Sequence, residues 1–178
     1  ENYTKKGAGA VSLWISSFLR DSIYRETTFI YGSTKNRNYL SKNYFNIDID
    51  NFNSKFNSTT KEYSKRIIDQ IKDYNFEIIE LHNRPIMVKD FFKIIDCKII
   101  LYFHNDPISM KGAKSADERL YLLKNVDKII FISEWIRKRF FKDLPNLSNN
   151  KTQVIYHSID PYKKKIKKKK QIIFVGKL

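Results

Sequence analysis

The 178-residue chain predicts an α/β fold, a doubly wound parallel sheet with helices on both faces. Three observations carry that reading. Strand-like and helix-like segments alternate at least four times. The strand segments are continuously apolar rather than alternating, as in sheets buried on both faces. Polar residues collect after the strands, at Gly32-Ser33, His82-Asn83-Arg84, His104-Asn105-Asp106, Ser133-Glu134 and His157-Ser158. Five such loops on one edge make a cleft, and open α/β sheets bind ligands outside the carboxyl ends of their strands.

The elements follow in order. Gly7-Ala8-Gly9-Ala10 opens a helix in which Val11, Trp14, Ile15, Phe18 and Leu19 recur at the spacing of one apolar face. Thr27 to Tyr31 reads as a strand closed by Gly32-Ser33, and residues 35–57 as mostly loop with a short strand at Tyr44 to Ile47. Thr59 with Glu62 has the form of a capping box ahead of a helix to about Asp73. The run Glu77 to Leu81 is the next strand. Pro85 suits the first turn of a helix in which Met87, Phe91, Ile94 and Ile95 share a face. Ile99 to Phe103 is a further strand, followed by a glycine-containing loop through Gly112 and a second capping box at Ser115 and Glu118. Lys128 to Ile132 is a strand that delivers Ser133 as the N-cap of a helix carrying Trp135, Ile136 and Phe140; Gln153 to Tyr156 is another strand.

Composition narrows the class. A content of 42% hydrophobic and 15% aromatic residues is globular rather than disordered. No apolar run approaches the ~18–20 residues of a membrane span, and the first residues lack the pattern of a signal peptide. The single cysteine, Cys97, rules out an internal disulfide, suits a reducing compartment and reads as a small buried hydrophobe. The net charge of +15 invites a nucleic-acid reading, but seven of the eight residues from Lys163 to Lys170 are lysine and supply nearly half of that excess. Lys, Asn, Ile, Phe and Tyr are over-used throughout, as an AT-rich coding sequence produces. The lysines therefore read as solvated, with an anionic membrane surface as the partner to test, since a polybasic segment gains about 1 kcal/mol per residue there. Nucleic acid is not expected. Both ends read as cut: residues 1–162 form one domain lacking its first strand, 163–170 a basic linker, and 171–178 the first strand of a further domain.

Several residues carry chemistry. Gly7 and Gly9 precede a helix whose amides and dipole favour phosphate, so they form either a tight turn or a phosphate cradle. His82 and His104 stand at corresponding strand ends, each followed by Asn, and each is an orienting donor, a general base or a cap of its loop. No cysteine partner or compact carboxylate cluster accompanies them, so no metal is expected. His157 reads as a turn residue. Arg84 is a bidentate clamp for phosphate or carboxylate, or else a solvated loop arginine. Asp106 orients an imidazole, binds sugar hydroxyls or closes an Asx-turn before Pro107. Ser133 is an N-cap at the cleft edge. No nucleophile elbow, P-loop or zinc spacing occurs.

The order of these motifs resembles the amino-terminal, acceptor-side domain of family 4 retaining glycosyltransferases of the GT-B fold. The residues that carry the resemblance are the glycine pair before the first helix, His82-Asn83-Arg84, Phe103-His104-Asn105, Ile129-Ile130-Phe131-Ile132-Ser133, Val154-Ile155-Tyr156-His157-Ser158-Ile159-Asp160 and Ile172-Ile173-Phe174-Val175-Gly176-Lys177-Leu178. It covers nearly the whole chain, and it implies a Rossmann-like domain facing a partner domain across a cleft. By the same resemblance Gly7, Gly9 and Lys177 approach the donor diphosphate, and His82 contacts the transferred sugar near the reacting centre. His104, with Asn83, Arg84, Asn105, Asp106 and Ser133, lines the acceptor side. Ser158 to Asp160 match an Asn-Gly-Val-Asp turn in which His-Ser here replaces Asn-Gly.

The implied reaction moves a sugar from a nucleotide-sugar, a co-substrate with no further cofactor and no metal, to a glycan or lipid-linked acceptor. The setting would be cell-surface polysaccharide or lipopolysaccharide assembly, in the cytoplasm or peripherally at the inner face of the membrane. The chain alone is expected to be inactive, since the family's second phosphate-binding lysine and its Glu-rich donor motif are absent from it. The competing expectation is a non-catalytic Rossmann-like module that binds an anionic polymer or membrane through Lys163 to Lys170.

Overall fold

A computed structural model describes residues 2–35, 37–49, 58–94, 96–145 and 150–158. The basic linker, Lys177 and the strand expected at 171–178 lie outside the described residues, as does Asp160. The elements are α1 (Ala10–Arg20), β1 (Ile30–Gly32), β2 (Tyr44–Asn46), α2 (Thr59–Ile71), β3 (Ile78–His82), α3 (Val88–Ile94), β4 (Lys98–Phe103), α4 (Ala116–Asn125), β5 (Lys128–Phe131), α5 (Glu134–Phe141) and β6 (Thr152–Val154). Single 3-10 turns at Pro85–Met87 and Pro107–Ser109 follow β3 and β4. Strands β3, β4, β5 and β6 form one parallel sheet in chain order, and β1 pairs with β2, also parallel, in a separate two-stranded sheet. The α/β class and the parallel sheet are as predicted. Within the four described strands of the larger sheet the order does not reverse.

The core sits on one face of that sheet. Ile99, Leu101 and Phe103 of β4 and Ile129 and Phe131 of β5 are almost fully buried among Phe91 of α3, Leu122 of α4 and Phe140 of α5. The other face differs from the expectation of even burial. On β3, Ile78 and Glu80 are exposed and His82 half-buried; on β4, Ile100 and Tyr102 are half-buried between the buried positions. Strands β3 and β4 thus split by the period of two, with a dry face and a face only partly covered, whereas in β5 Ile130 is buried as well as Ile129 and Phe131.

Local chemistry explains where the element ends moved. Thr27 and Thr28 turn their hydroxyls to the Tyr24 carbonyl, at 3.2 and 2.8 Å, which holds them in a turn and delays β1 to Ile30. The capping box expected at Thr59 does not form. Ser58 is the N-cap, Thr59 is already helical, and Glu62 pairs with Arg66 one turn on, at 2.6 Å. The second box does form: Ser115 Oγ accepts from the Glu118 amide and Glu118 Oε2 accepts from the Ser115 amide, both at 3.1 Å. Arg119, 2% exposed, donates to the carbonyls of Ala113, Lys114 and Lys142 and so ties the loop before α4 to the end of α5.

Gly112 packs that loop against the turn after β3. Its φ is +93°, and a Cβ there would lie 2.5 Å from the Ile86 backbone nitrogen. Both the conformation and the contact exclude a side chain. Gly112→Ala should lower the unfolding free energy by about 3 kcal/mol, combining backbone strain with displacement of a neighbouring chain segment; denaturant unfolding of the two proteins measures it.

Candidate functional site

Parallel pairing of β3 with β4 sets the site. The register places His82 opposite Tyr102 and Glu80 opposite Ile100. Side chains two apart along a strand share a face, so Glu80 and His82 on β3 lie beside Tyr102 and the next same-face residue, His104, on β4. His82 is the last strand residue and His104 the first beyond its strand, both at the carboxyl edge. Asn83 locks the two turns together. Its φ of +53° is the left-handed conformation that asparagine tolerates. Its amide donates to the Tyr102 carbonyl at 2.9 Å, and its Oδ1 accepts from the His104 amide at 2.8 Å.

The imidazoles form a row. His82 Nδ1 lies 2.9 Å from His104 Nε2, and His104 Nδ1 lies 3.0 Å from His157 Nε2. His157 follows β6, beyond β5 in the sheet. At the far end His82 Nε2 is 3.4 Å from Glu80 Oε2, while the Tyr102 hydroxyl donates to Glu80 Oε1 at 3.4 Å. Aromatic faces hold the rings in place. Tyr102 stacks on His82 at 4.6 Å between centroids, and Trp14 of α1 stacks on His157 at 4.9 Å and meets the edge of His104 at 5.3 Å. Burial is graded along the row: His104 is 6% exposed, His82 half-buried and His157 exposed.

Electrostatics follow from that gradient. Burial, reinforced by His82 and then His157, pushes His104 from its ordinary 6.5 down to about 3. Burial, then His82, also holds His157 below the ordinary imidazole value. A buried imidazole is most easily kept neutral, and His104 is the buried one of the row. Burial foremost, then Glu80, pushes the Tyr102 hydroxyl well above its ordinary value. It therefore stays protonated and donates.

The other predicted residues divide. Asp106 gives its carboxylate to Arg139 in a bidentate pair, with Nη2 to Oδ2 at 2.8 Å, and also caps the Pro107–Ser109 turn by accepting from the Ile108 amide at 3.2 Å. Among the three readings open for it, the structure forms the Asx-type turn. Ser133 is the N-cap of α5, accepting from the Ile136 amide at 3.2 Å. Asn105 and Arg84 are exposed at the edge; the Arg84 guanidinium makes a long 3.4 Å contact to the Asn83 carbonyl. Gly7 takes φ +86° in the turn before α1, and Gly9 is the N-cap of α1, the helix that carries Trp14. Reading by residue type left four participants out of the site: Glu80, Tyr102, Trp14 and His157. The signal for the first two was the two-residue spacing of Glu80-His82 and Tyr102-His104 on paired strands. No local spacing gave the others.

Two hollows of about 550 and 300 Å³ lie at the opposite, amino-terminal edge of the sheet, lined by Phe76, Cys97, Lys98 and Asp127 and by Phe92, Asn125 and Lys151 respectively. Cys97 is half-buried there, its thiol pushed up by burial and then by Asp127 and Asp96. Among the described residues no group of three His, Cys, Asp or Glu side chains is arranged to hold a metal ion, and no helix is long and apolar enough to cross a membrane.

The fold is that of a Rossmann-like α/β domain, and a row of imidazoles stands at the carboxyl edge of its parallel sheet. The chain is similar to the Bacillus subtilis (strain 168) protein named "Putative glycosyltransferase YtcC", at 28% identity in an alignment that covers 66% of this chain and 33% of that protein. It thus spans about a third of the length of the curated relative it matches, and the similarity supports a glycosyltransferase relationship. No family model matches the chain. No solved structure matches it either.

The buried neutral imidazole makes stability sensitive to acid. His104 has a folded value below its unfolded one, so its contribution is complete above about pH 6.5 and is lost as the pH falls toward 3. Between pH 7 and pH 5 the unfolding free energy should drop by about 2 kcal/mol. Urea unfolding at the two pH values reads this directly, and equal stabilities would mean that His104 takes up a proton without leaving the fold.

Proposed function

We propose that this chain is the acceptor-side domain of a GT-B glycosyltransferase of family 4. In the whole protein it would transfer a sugar, with retention, from a nucleotide-sugar to a glycan or lipid-linked hydroxyl in cell-surface polysaccharide or lipopolysaccharide assembly. The observation that carries the reading is the row of imidazoles at the carboxyl ends of parallel strands, where α/β sheets present ligand-binding groups. Relatedness to a protein named as a glycosyltransferase supports the same reaction class.

The roles are those that the resemblance implies. His82, held between Glu80 and His104, orients the transferred sugar. Asn83, Arg84, His104, Asn105 and Ser133 border the acceptor side, and Asp106 shapes that side through Arg139. Gly7 and Gly9 let the backbone at the start of α1 approach the donor diphosphate, and Lys177 supplies a cation to it. Charge growing on the leaving diphosphate would be met by amides and cationic side chains, with no metal ion taking part. The chain works in the cytoplasm, with the lysines of 163–170 against the anionic inner face of the membrane.

His82→Ala in the full-length protein should cut transfer by roughly 100-fold or more, the scale of losing a positioned group in the transition state. Its thermal unfolding should stay cooperative. Unchanged transfer would remove His82 from the site, and a defect produced only by neutralising Lys163 to Lys170 would favour a non-catalytic polymer-binding module.

A further inference from the structure

The sequence groups Trp135 with Ile136 and Phe140 on one helix, but the fold separates them. Ile136 and Phe140 are buried, whereas Trp135 is 58% exposed in the first turn of α5. That turn follows β5 and Ser133, so the indole stands at the carboxyl edge of the sheet. Its exposure does not leave it loose. The Arg139 guanidinium, one turn further along α5, lies over the ring at 5.8 Å from its centroid. Arg139 is held in turn by Asp106 from the loop after β4, with Nη2 to Oδ2 at 2.8 Å and Nε to Oδ2 and Oδ1 at 3.1 and 3.2 Å. The hydrogen bonds from Arg139 keep the Asp106 carboxyl below the ordinary carboxylate range, so the pair stays charged. No aromatic ring among the described residues packs on Trp135. Trp14, by contrast, meets Phe18, Tyr102 and all three imidazoles.

An indole ordered in advance loses little side-chain freedom when a ligand stacks on it. The negative face of the ring attracts the polarised C–H groups that line one face of a pyranose. The hydroxyls of such a sugar need polar partners at its border, and Arg139, Asp106 and the exposed Asn105 beside Asp106 supply them. A lipid chain or an apolar protein surface would instead strip water from the ion pair without replacing those hydrogen bonds. We infer that Trp135 is the stacking platform for a pyranose of the acceptor, one that lies beyond the reacting hydroxyl. The acceptor is then a glycan at this position rather than a bare lipid. That the sugar is a transfer acceptor rests on the proposed function; the ordered, open indole does not. Trp135 is a specificity-determining residue in this scheme, and Arg139 and Asp106 are positioning residues that act through its ring.

Nuclear magnetic resonance of the ¹⁵N-labelled full-length protein tests the platform. The probes are the methyl glycosides of glucose, galactose, mannose and N-acetylglucosamine, with sorbitol as a control that carries hydroxyls without the ring. The Trp135 indole N–H signal, identified by its loss in Trp135→Phe, should shift saturably with at least one glycoside and stay in place with sorbitol. Backbone amide shifts of Asn105 and Ser133 then report the affinity of the variants. Trp135→Ala should raise the dissociation constant about tenfold, the scale of one aromatic contact. Trp135→Phe should keep most of the affinity, and both variants should unfold as cooperatively as the unmodified protein. A Trp135 signal that ignores every glycoside, that moves equally with sorbitol, or that moves only with phosphatidylglycerol vesicles would overturn the platform. Unchanged affinity in Trp135→Ala would overturn it too, while sugar transfer by the unmodified protein would leave the glycosyltransferase reading standing. Glycosides that bind at Trp135 in a full-length protein unable to transfer sugar would refute that reading instead and keep the platform.

Discussion

Everything at the candidate site depends on the register of β3 against β4. Pairing His82 with Tyr102 puts Glu80, His82, Tyr102 and His104 on one face of the sheet and leaves Leu81, Leu101 and Phe103 on the other. Slipping either strand by one residue would drive the imidazoles into the core and the core residues out. The hydrophobic face therefore enforces the polar one. Asn83 closes the arrangement, since its side chain and amide bond the two turns across the strand ends and its left-handed backbone starts the first turn.

The second constraint is desolvation. A row of imidazoles in a half-covered face is tolerable only while the rings stay neutral and satisfy one another, because an unpaired buried polar group is costly. His104 meets that condition with both nitrogens bonded, and Trp14 covers the row without closing off His157. Neighbouring charges are kept occupied. Asp106, two residues beyond His104, is tied to Arg139, which fixes the loop after β4 to α5. Arg119 does the same between the loop before α4 and the end of α5 through three carbonyls. The loops beside the imidazole row are thus both tied to α5.

Much of this was legible from residue order. Apolar runs bounded by polar turns located the strands of the larger sheet to within about two residues, and Ser115-Glu118 and Ser133 marked their helix starts by capping chemistry that formed as read. Thr59 did not, because Ser58 beside it offered the cap position and Arg66 offered Glu62 an ion pair. Composition alone could not show that the strands have unequal faces, since Ile78, Ile100 and Tyr102 are as apolar or aromatic as their buried neighbours. His82 and His104 stood out by their matched strand ends. His157 looked like an ordinary turn residue because its meaning is tertiary: it lies 53 residues beyond His104 and joins the row only through the order β4-β5-β6. Trp14 likewise read as one member of an apolar helical stripe, and only the packing of α1 shows which surface that stripe covers.

On the proposed reading, the reacting carbohydrate sits at the carboxyl edge, along the row of imidazoles under Trp14. A crystal structure of the full-length protein with an acceptor glycan bound tests it most directly. The proposed reading expects the glycan against the imidazole row, with its sugar beside Trp14. A glycan seated instead at the amino-terminal edge, in the hollow beside Cys97 and Asp127, would contradict it.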